Sequence, residues 1–409
     1  MNVFAIIILV TLAVDFILNL TADYYNLQSL DQRLPREFND VYDNESYSKS
    51  QRYTKARTKF GILSSAFNLL LLLVFWFAGG FSWLDEIVRS WELGIIWTGL
   101  AYIGLLILGK SVLSLLFSLY STFVIEERFG FNKTTPKTFV LDLLKGLGLG
   151  ILLGGPLLAG ILAFFNFTDH YAWLYAWGAV TAFTLVIQFI APRWIMPIFN
   201  TFEPLEEGEL RQKIRGYAEK VSFALEGVYV IDGSKRSSKS NAFFTGFGKN
   251  KRIALYDTLI ENHTDDELVA VLAHEIGHYK KKHIIKNMAI SIVQTGVMFF
   301  LLSVFLSSQG LYEAFYMDQM SVYAGLIFFG MLYAPVDMIL SMIMQILSRK
   351  YEFEADRFAS TTFSPEPMVS ALKKLSKDNL SNLRPHPFYV FLNYSHPPVL
   401  QRIKAIWKA

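Results

Sequence analysis

Ala273-His274-Glu275-Ile276-Gly277-His278 contains a His-Glu-x-x-His run, set in a stretch whose apolar spacing predicts a helix. Residues i and i+4 share one helix face. His274 and His278 can therefore grip one zinc ion, with Glu275 placed to hold the water that such an ion activates. Catalytic zinc takes three protein ligands and leaves a fourth position open, so one ligand must come from elsewhere. The chain has no cysteine, which excludes thiolate ligands, disulfides and a cysteine nucleophile. A metzincin would need Gly and His at positions 281 and 284, where Lys281 and Ile284 stand. His283, five residues past His278, falls off the ligand face and is expected to be solvated. A glutamate on a later helix remains. In Tyr351-Glu352-Phe353-Glu354-Ala355-Asp356, Glu352 and Asp356 share a face. Glu352 is the expected third ligand, and Asp356 the acceptor that takes a ligand histidine's N–H and fixes its tautomer. Glu354 points about 160° away, at ~100° per residue, and is the weaker candidate.

The elements that must position these groups are legible nearby. Thr264-Asp265-Asp266-Glu267 reads as a capping box that opens a helix over 268–283, and small Ala273 and Gly277 allow another element to approach it closely. Upstream, the pattern predicts an amphipathic helix near 206–223, then strands at Gly227–Ile231, 241–247 and Arg252–Tyr256, with a turn at Gly248-Lys249-Asn250.

The rest of the chain does not read as soluble. Of 409 residues, 53% are hydrophobic, and mean hydropathy is positive at +0.33. Seven apolar stretches, 3–20, 61–83, 93–119, 139–165, 171–190, 284–306 and 322–346, approach or exceed the ~20 residues that span a bilayer as helix. The first lacks a basic n-region and a small-residue cleavage site, so it reads as an uncleaved span. The fourth, broken by Gly154-Gly155-Pro156, is the least regular. Basic residues cluster in connections 21–59 and 122–138, in 191–283 and after Ser348, and are sparse in the alternate connections. That asymmetry puts the N-terminus outside and the His-Glu-x-x-His segment in the cytoplasm. A net charge of +3 is small for this length, and nothing points to nucleic acid.

Four parts follow: a five-span membrane block over 1–190, an insert at 191–283 carrying the motif, spans six and seven over 284–346, and a tail at 347–409 with the third ligand. The expected fold is mainly α and polytopic, with a small α+β zinc protease domain on the cytoplasmic side. Glu352 follows the seventh span by six residues, a rise of roughly 9 Å, so the metal would lie at the membrane edge. Such a placement suits substrates that are membrane-anchored or lipid-modified.

Taken together, the chain resembles the integral-membrane CAAX prenyl protease family, zinc enzymes that process farnesylated proteins. Besides the zinc motif and Glu352 to Asp356, the resemblance rests on Leu34-Pro35, Tyr42, Tyr47 and Ser50-Gln51-x-Tyr53, and on Ile125-Glu126-Glu127-Arg128-Phe129-Gly130-Phe131-Asn132-Lys133-Thr134. Met196-Pro197-x-Phe199-Asn200, Ser240-Asn241-Ala242, Asp257-Thr258-Leu259 and Ser395-His396-Pro397-Pro398 extend it over nearly the whole chain. It implies seven helices around an intramembrane chamber, an edge strand at Asn241 and Ala242 along which substrate lies extended, and a His396 that stabilises the oxyanion. It also implies removal of the last three residues of a prenylated C-terminal tetrapeptide, with Asp356 orienting a ligand and sharing in proton handling. Without the resemblance, Asn241 reads as a turn residue and Ser-His-Pro-Pro as a loop; Arg402 is a candidate anchor for the tail. Lys110, Asp142, Lys145 and Asp337 lie in or near spans, where an unpaired charge costs a few kcal/mol. A chamber would hydrate them, and snorkelling is the alternative for Asp142 and Lys145. The rival functions are an HtpX-like clearance of damaged membrane proteins, a transporter with an incidental motif, and a non-catalytic chamber that clears stalled translocation substrates. The tail lacks a dilysine retrieval signal, which leans toward a bacterial inner membrane over the endoplasmic reticulum.

Overall fold

The structure, a computed structural model, describes residues 1–31, 33–245 and 252–408. Among them, seven helices are long and apolar enough to cross a membrane: Val3–Gln28, Asn44–Phe77, Ile95–Glu126, Pro136–Phe167, Ala172–Phe199, His283–Phe305 and Val322–Thr362. Side-chain caps start the first two, with Asn2 accepting from the Ala5 N–H at 3.1 Å and Asp43 from that of Ser46 at 2.7 Å. Only 6% to 17% of each apolar window is buried inside the protein. Most of each span's apolar surface is therefore left without a protein partner. Apolar burial concentrates at one end. There Gly79, at φ +73°, turns the chain into a short helix, Gly80–Arg89, whose Phe81 packs with Trp76, Phe315 and Phe328. The second span therefore differs from expectation at both ends, since its helix starts 17 residues earlier, at Asn44, and stops at Phe77.

Two charges inside spans are anchors. Asp142 takes two hydrogen bonds from Arg236, at 2.7 and 2.9 Å, and Lys145 donates to the Ile198 carbonyl at 2.7 Å. These bonds tie the fourth span to the start of the peptidase region.

That region holds a four-stranded sheet in the order β1-β2-β4-β3: β1 Phe202–Pro204, β2 Gly227–Ile231, β3 Ala242–Thr245 and β4 Arg252–Tyr256. β2 and β4 run parallel, and the outer strands antiparallel to their neighbours. β1 was not expected from the sequence. The expected turn at Gly248-Lys249-Asn250 lies outside the described residues. Among the described residues β3 ends the sheet, and no strand pairs with its outer edge.

The motif helix, Asp265–Lys280, opens on the expected capping box. Glu267 accepts from the Thr264 N–H at 2.7 Å, and also from Lys374 at 2.7 Å and Ser370 at 2.5 Å. One carboxylate thus starts this helix and clamps it to the helix Pro365–Asp378. Farther along, the motif helix crosses the seventh at Gly277. A Cβ there would meet Ala355 Cα at 3.1 Å and its carbonyl oxygen at 3.2 Å.

Two tests follow from this packing. Burial opposes the Glu267 charge, but Lys374, Ser370 and the Thr264 N–H outweigh it and hold the pKa below the ordinary 4.5. A depressed carboxylate stabilises the fold above its unfolded pKa and loses that effect as pH falls through the folded one. Glu267→Gln should lower the unfolding temperature in detergent at neutral pH, by the equivalent of about 1–3 kcal/mol. The gap from wild type should close as pH is taken below about 4. Gly277→Val, which forces two helix backbones apart, should lose metal and activity together, while Gly277→Ala retains part of both in the same metal and turnover assays.

Candidate active site

The crossing at Gly277 and Ala355 sets His274 and His278 opposite Glu352 and Asp356. The two Nε2 atoms stand 3.1 Å apart. Glu352 Oε1 is 3.3 Å from His278 Nε2, and Oε2 is 3.5 Å from His274 Nε2. The ligand atoms of His274, His278 and Glu352 all fall within 4.8 Å of one another. His274 Nδ1 lies 2.9 Å from Asp356 Oδ1, which places its proton on Nδ1 and leaves the Nε2 lone pair facing the cleft.

These donors fit a metal ion. Two nitrogens bound at 2.0–2.1 Å to one tetrahedral zinc would sit about 3.3 Å apart, close to the spacing found. Glu352 Oε2 is buried and makes no hydrogen bond, its charged neighbour being Arg402 Nη1 at 3.3 Å. Imidazole lone pairs and carboxylate oxygens converging on one buried point repel one another unless a cation lies between them. With protein groups alone, burial opposes charge on His274. The Asp356 and Glu352 carboxylates beside it outweigh that and push the pKa up to about 9. A metal ion in the cleft replaces that proton.

Asp356, at 1% exposure, is held by Arg402 through a fork of 2.6 and 2.8 Å. Arg402 Nη1 also lies 3.3 Å from Glu352 Oε2. The C-terminal helix Val399–Ile406 thus closes the site from behind, a function the sequence hinted at only as tail anchoring. Burial pushes the Glu275 pKa up, offset only in part by His274 and His278, which suits a group that must both take and return a proton.

A cavity of about 430 Å³ is lined by Asn241, Ala242, His274, Glu275, His278, Glu352, His396 and Arg402. The structure therefore brings every expected site residue to one place, with Asp356 directly beneath. His396 Nε2 is 3.3 Å from Glu352 Oε1, and its Nδ1 is 2.9 Å from the Ser395 hydroxyl. Asn241 is no turn residue; its carbonyl accepts from the Tyr256 N–H at 3.0 Å, extending the pairing of β3 with β4. His283 overturns its expectation. It is 2% exposed and sits between His278 Nδ1, at 3.0 Å, and Glu354 Oε2, also at 3.0 Å.

Comparison with known proteins agrees with this geometry. Residues 204–409 match the family described as Peptidase family M48, and residues 5–201 match the CAAX prenyl protease N-terminal family of five membrane helices. The chain belongs to peptidase family M48. It is 37% identical to the CAAX prenyl protease 1 homolog of Oryza sativa subsp. japonica, over 91% of this chain and 90% of that one. Against CAAX prenyl protease 1 of Saccharomyces cerevisiae it is 35% identical, covering 94% and 90%. The crystal structure of S. mikatae Ste24p superposes with a TM-score of 0.92 at 34% identity, over 99% of both chains. The protein is a multi-pass integral-membrane metalloendopeptidase, and the transporter and quality-control alternatives are not favoured.

Arg402 offers a direct test of how this M48 centre is held. Arg402→Met strands a buried carboxylate and should cost about 3–5 kcal/mol. Arg402→Lys should recover only part of that, since an ammonium lacks the planar fork. Thermal unfolding and metal content of the two variants check both statements.

Proposed function

We propose that the protein is a zinc endopeptidase that cuts a lipid-modified, C-terminal peptide at the cytoplasmic face of its membrane. The observation carrying this reading is the convergence of His274, His278 and Glu352 in one cavity with Glu275 and the free edge of β3. Zinc held by those three ligands would polarise the scissile carbonyl and acidify water. Glu275 takes the proton of the attacking water and delivers it to the leaving amine. Asp356, fixed by Arg402, keeps His274 in the binding tautomer. His396 donates to the oxygen on which charge develops. Asn241 and Ala242 hold the substrate as an added strand, so that main-chain hydrogen bonds set which peptide bond meets the catalytic groups.

The orientation comes from the basic connections, which place the N-terminus outside and the peptidase region in the cytoplasm. The preference for a prenylated C-terminus is supported by the relatives named CAAX prenyl protease 1 and CAAX prenyl protease 1 homolog, and by the apolar span faces that the protein leaves unburied, against which a lipid chain can lie.

Purified wild type and Glu275→Gln should both bind about one zinc per chain. Turnover by the variant should fall at least 10²-fold. A farnesylated CAAX peptide should be cut faster than its unprenylated twin. Equal cleavage of the two peptides would sink the lipid preference, and wild type without zinc would sink the metal assignment.

A further inference from the structure

His274 and His278 are supported differently. His274 Nδ1 meets a carboxylate directly, at Asp356. His278 Nδ1 meets the ring nitrogen of His283 at 3.0 Å, and His283 Nε2 in turn lies 3.0 Å from Glu354 Oε2. We infer that His283 and Glu354 are positioning residues that hold the second ligand, His278, in its metal-binding tautomer through a two-step relay. The inference rests on the zinc reading above.

Only one proton arrangement satisfies all three groups. His278 turns Nε2 toward His274 and Glu352, so a neutral ligand carries its proton on Nδ1. That N–H donates to His283 Nδ1, which must then hold a lone pair. The His283 proton sits on Nε2 and donates to the Glu354 carboxylate. Reversing the chain would put a proton on His278 Nε2, in the space the metal needs.

The surrounding structure is built to keep His283 there. The motif helix stops at Lys280, and Lys282 adopts φ +60°, a left-handed conformation that non-glycine residues rarely take. That turn folds His283 back toward His278 at the start of the sixth span's helix. Its ring stacks on Tyr351 at 4.0 Å and 11°. Tyr351 and Glu354 flank Glu352 on one helix, so the segment that supplies the third ligand also orients the second. The carboxylate at the end of the relay raises the donor strength of His278, as Asp356 does for His274.

The test is zinc affinity in detergent, by competition with a chromophoric chelator, beside the unfolding temperature of the metal-stripped proteins. His283→Phe keeps the stack on Tyr351 but offers no acceptor, and should weaken zinc binding about 10- to 100-fold while stripped protein unfolds as wild type does. Glu354→Leu should weaken binding in the same direction, and Glu354→Gln, which keeps an acceptor oxygen, should restore most of it. Glu354 is one-third exposed, so this second pair tests the relay even if His283→Phe folds poorly. Unchanged affinity in both His283→Phe and Glu354→Leu would overturn the relay. So would an affinity loss matched by a lowered unfolding temperature of the stripped variants, which would mark a packing role. Wild type that binds no zinc in the same titration would instead overturn the metal assignment, and the relay with it.

Discussion

The contact on which the site depends is the backbone approach of the motif helix to the seventh helix at Gly277 and Ala355. A glycine and an alanine at the crossing bring the helices closer than larger side chains would allow. Because the four chemical residues flank this point, at 274 and 278 on one helix and 352 and 356 on the other, the crossing sets their distances. No loop intervenes between ligand and scaffold. Rigid helices on both sides hold the donors within a few ångströms before any ion binds, so binding need not first order them.

That crossing would be of little use if the peptidase region could shift against the membrane ring. Polar locks prevent it. Arg236 forks onto Asp142 and also donates to the Phe199 carbonyl. Lys239 reaches Glu126 at 2.8 Å and the Tyr53 hydroxyl at 2.7 Å, with its ammonium over the Phe131 ring. Each joins residues just before β3 to the ends of different spans. The strand β3 is therefore referenced to the membrane spans on its near side and to the motif helix on the other.

How far the sequence foretold this differs by element, for physical reasons. Spans were legible because lipid can satisfy no backbone group, which forces long apolar helices. Their ends were not, because hydropathy reports solvent and not hydrogen bonding; the helices at 44–60 and 347–362 simply continue as polar helix. β1 escaped notice because three residues ending in Pro204 carry no alternating pattern. The facing of His274 and His278, and of Glu352 and Asp356, could be read from i, i+4 spacing, yet the same logic misplaced His283. A helical wheel assumes an unbroken helix, and the left-handed Lys282 breaks it between His278 and His283. Arg402 was half-read, since sequence places a cation near the tail but cannot aim its fork.

The length of the seventh helix explains why the chemistry sits where it does. Its 41 residues extend about 62 Å, twice the ~30 Å hydrocarbon layer. Glu352, Asp356 and Arg402 are charges that hydrocarbon would strongly oppose, and hydrolysis needs water. A shorter helix would have forced a loop between membrane and ligand, surrendering registry with the ring. By running unbroken from the apolar band into the peptidase region, the helix keeps the charged cluster in a polar setting and rigidly tied to the membrane spans.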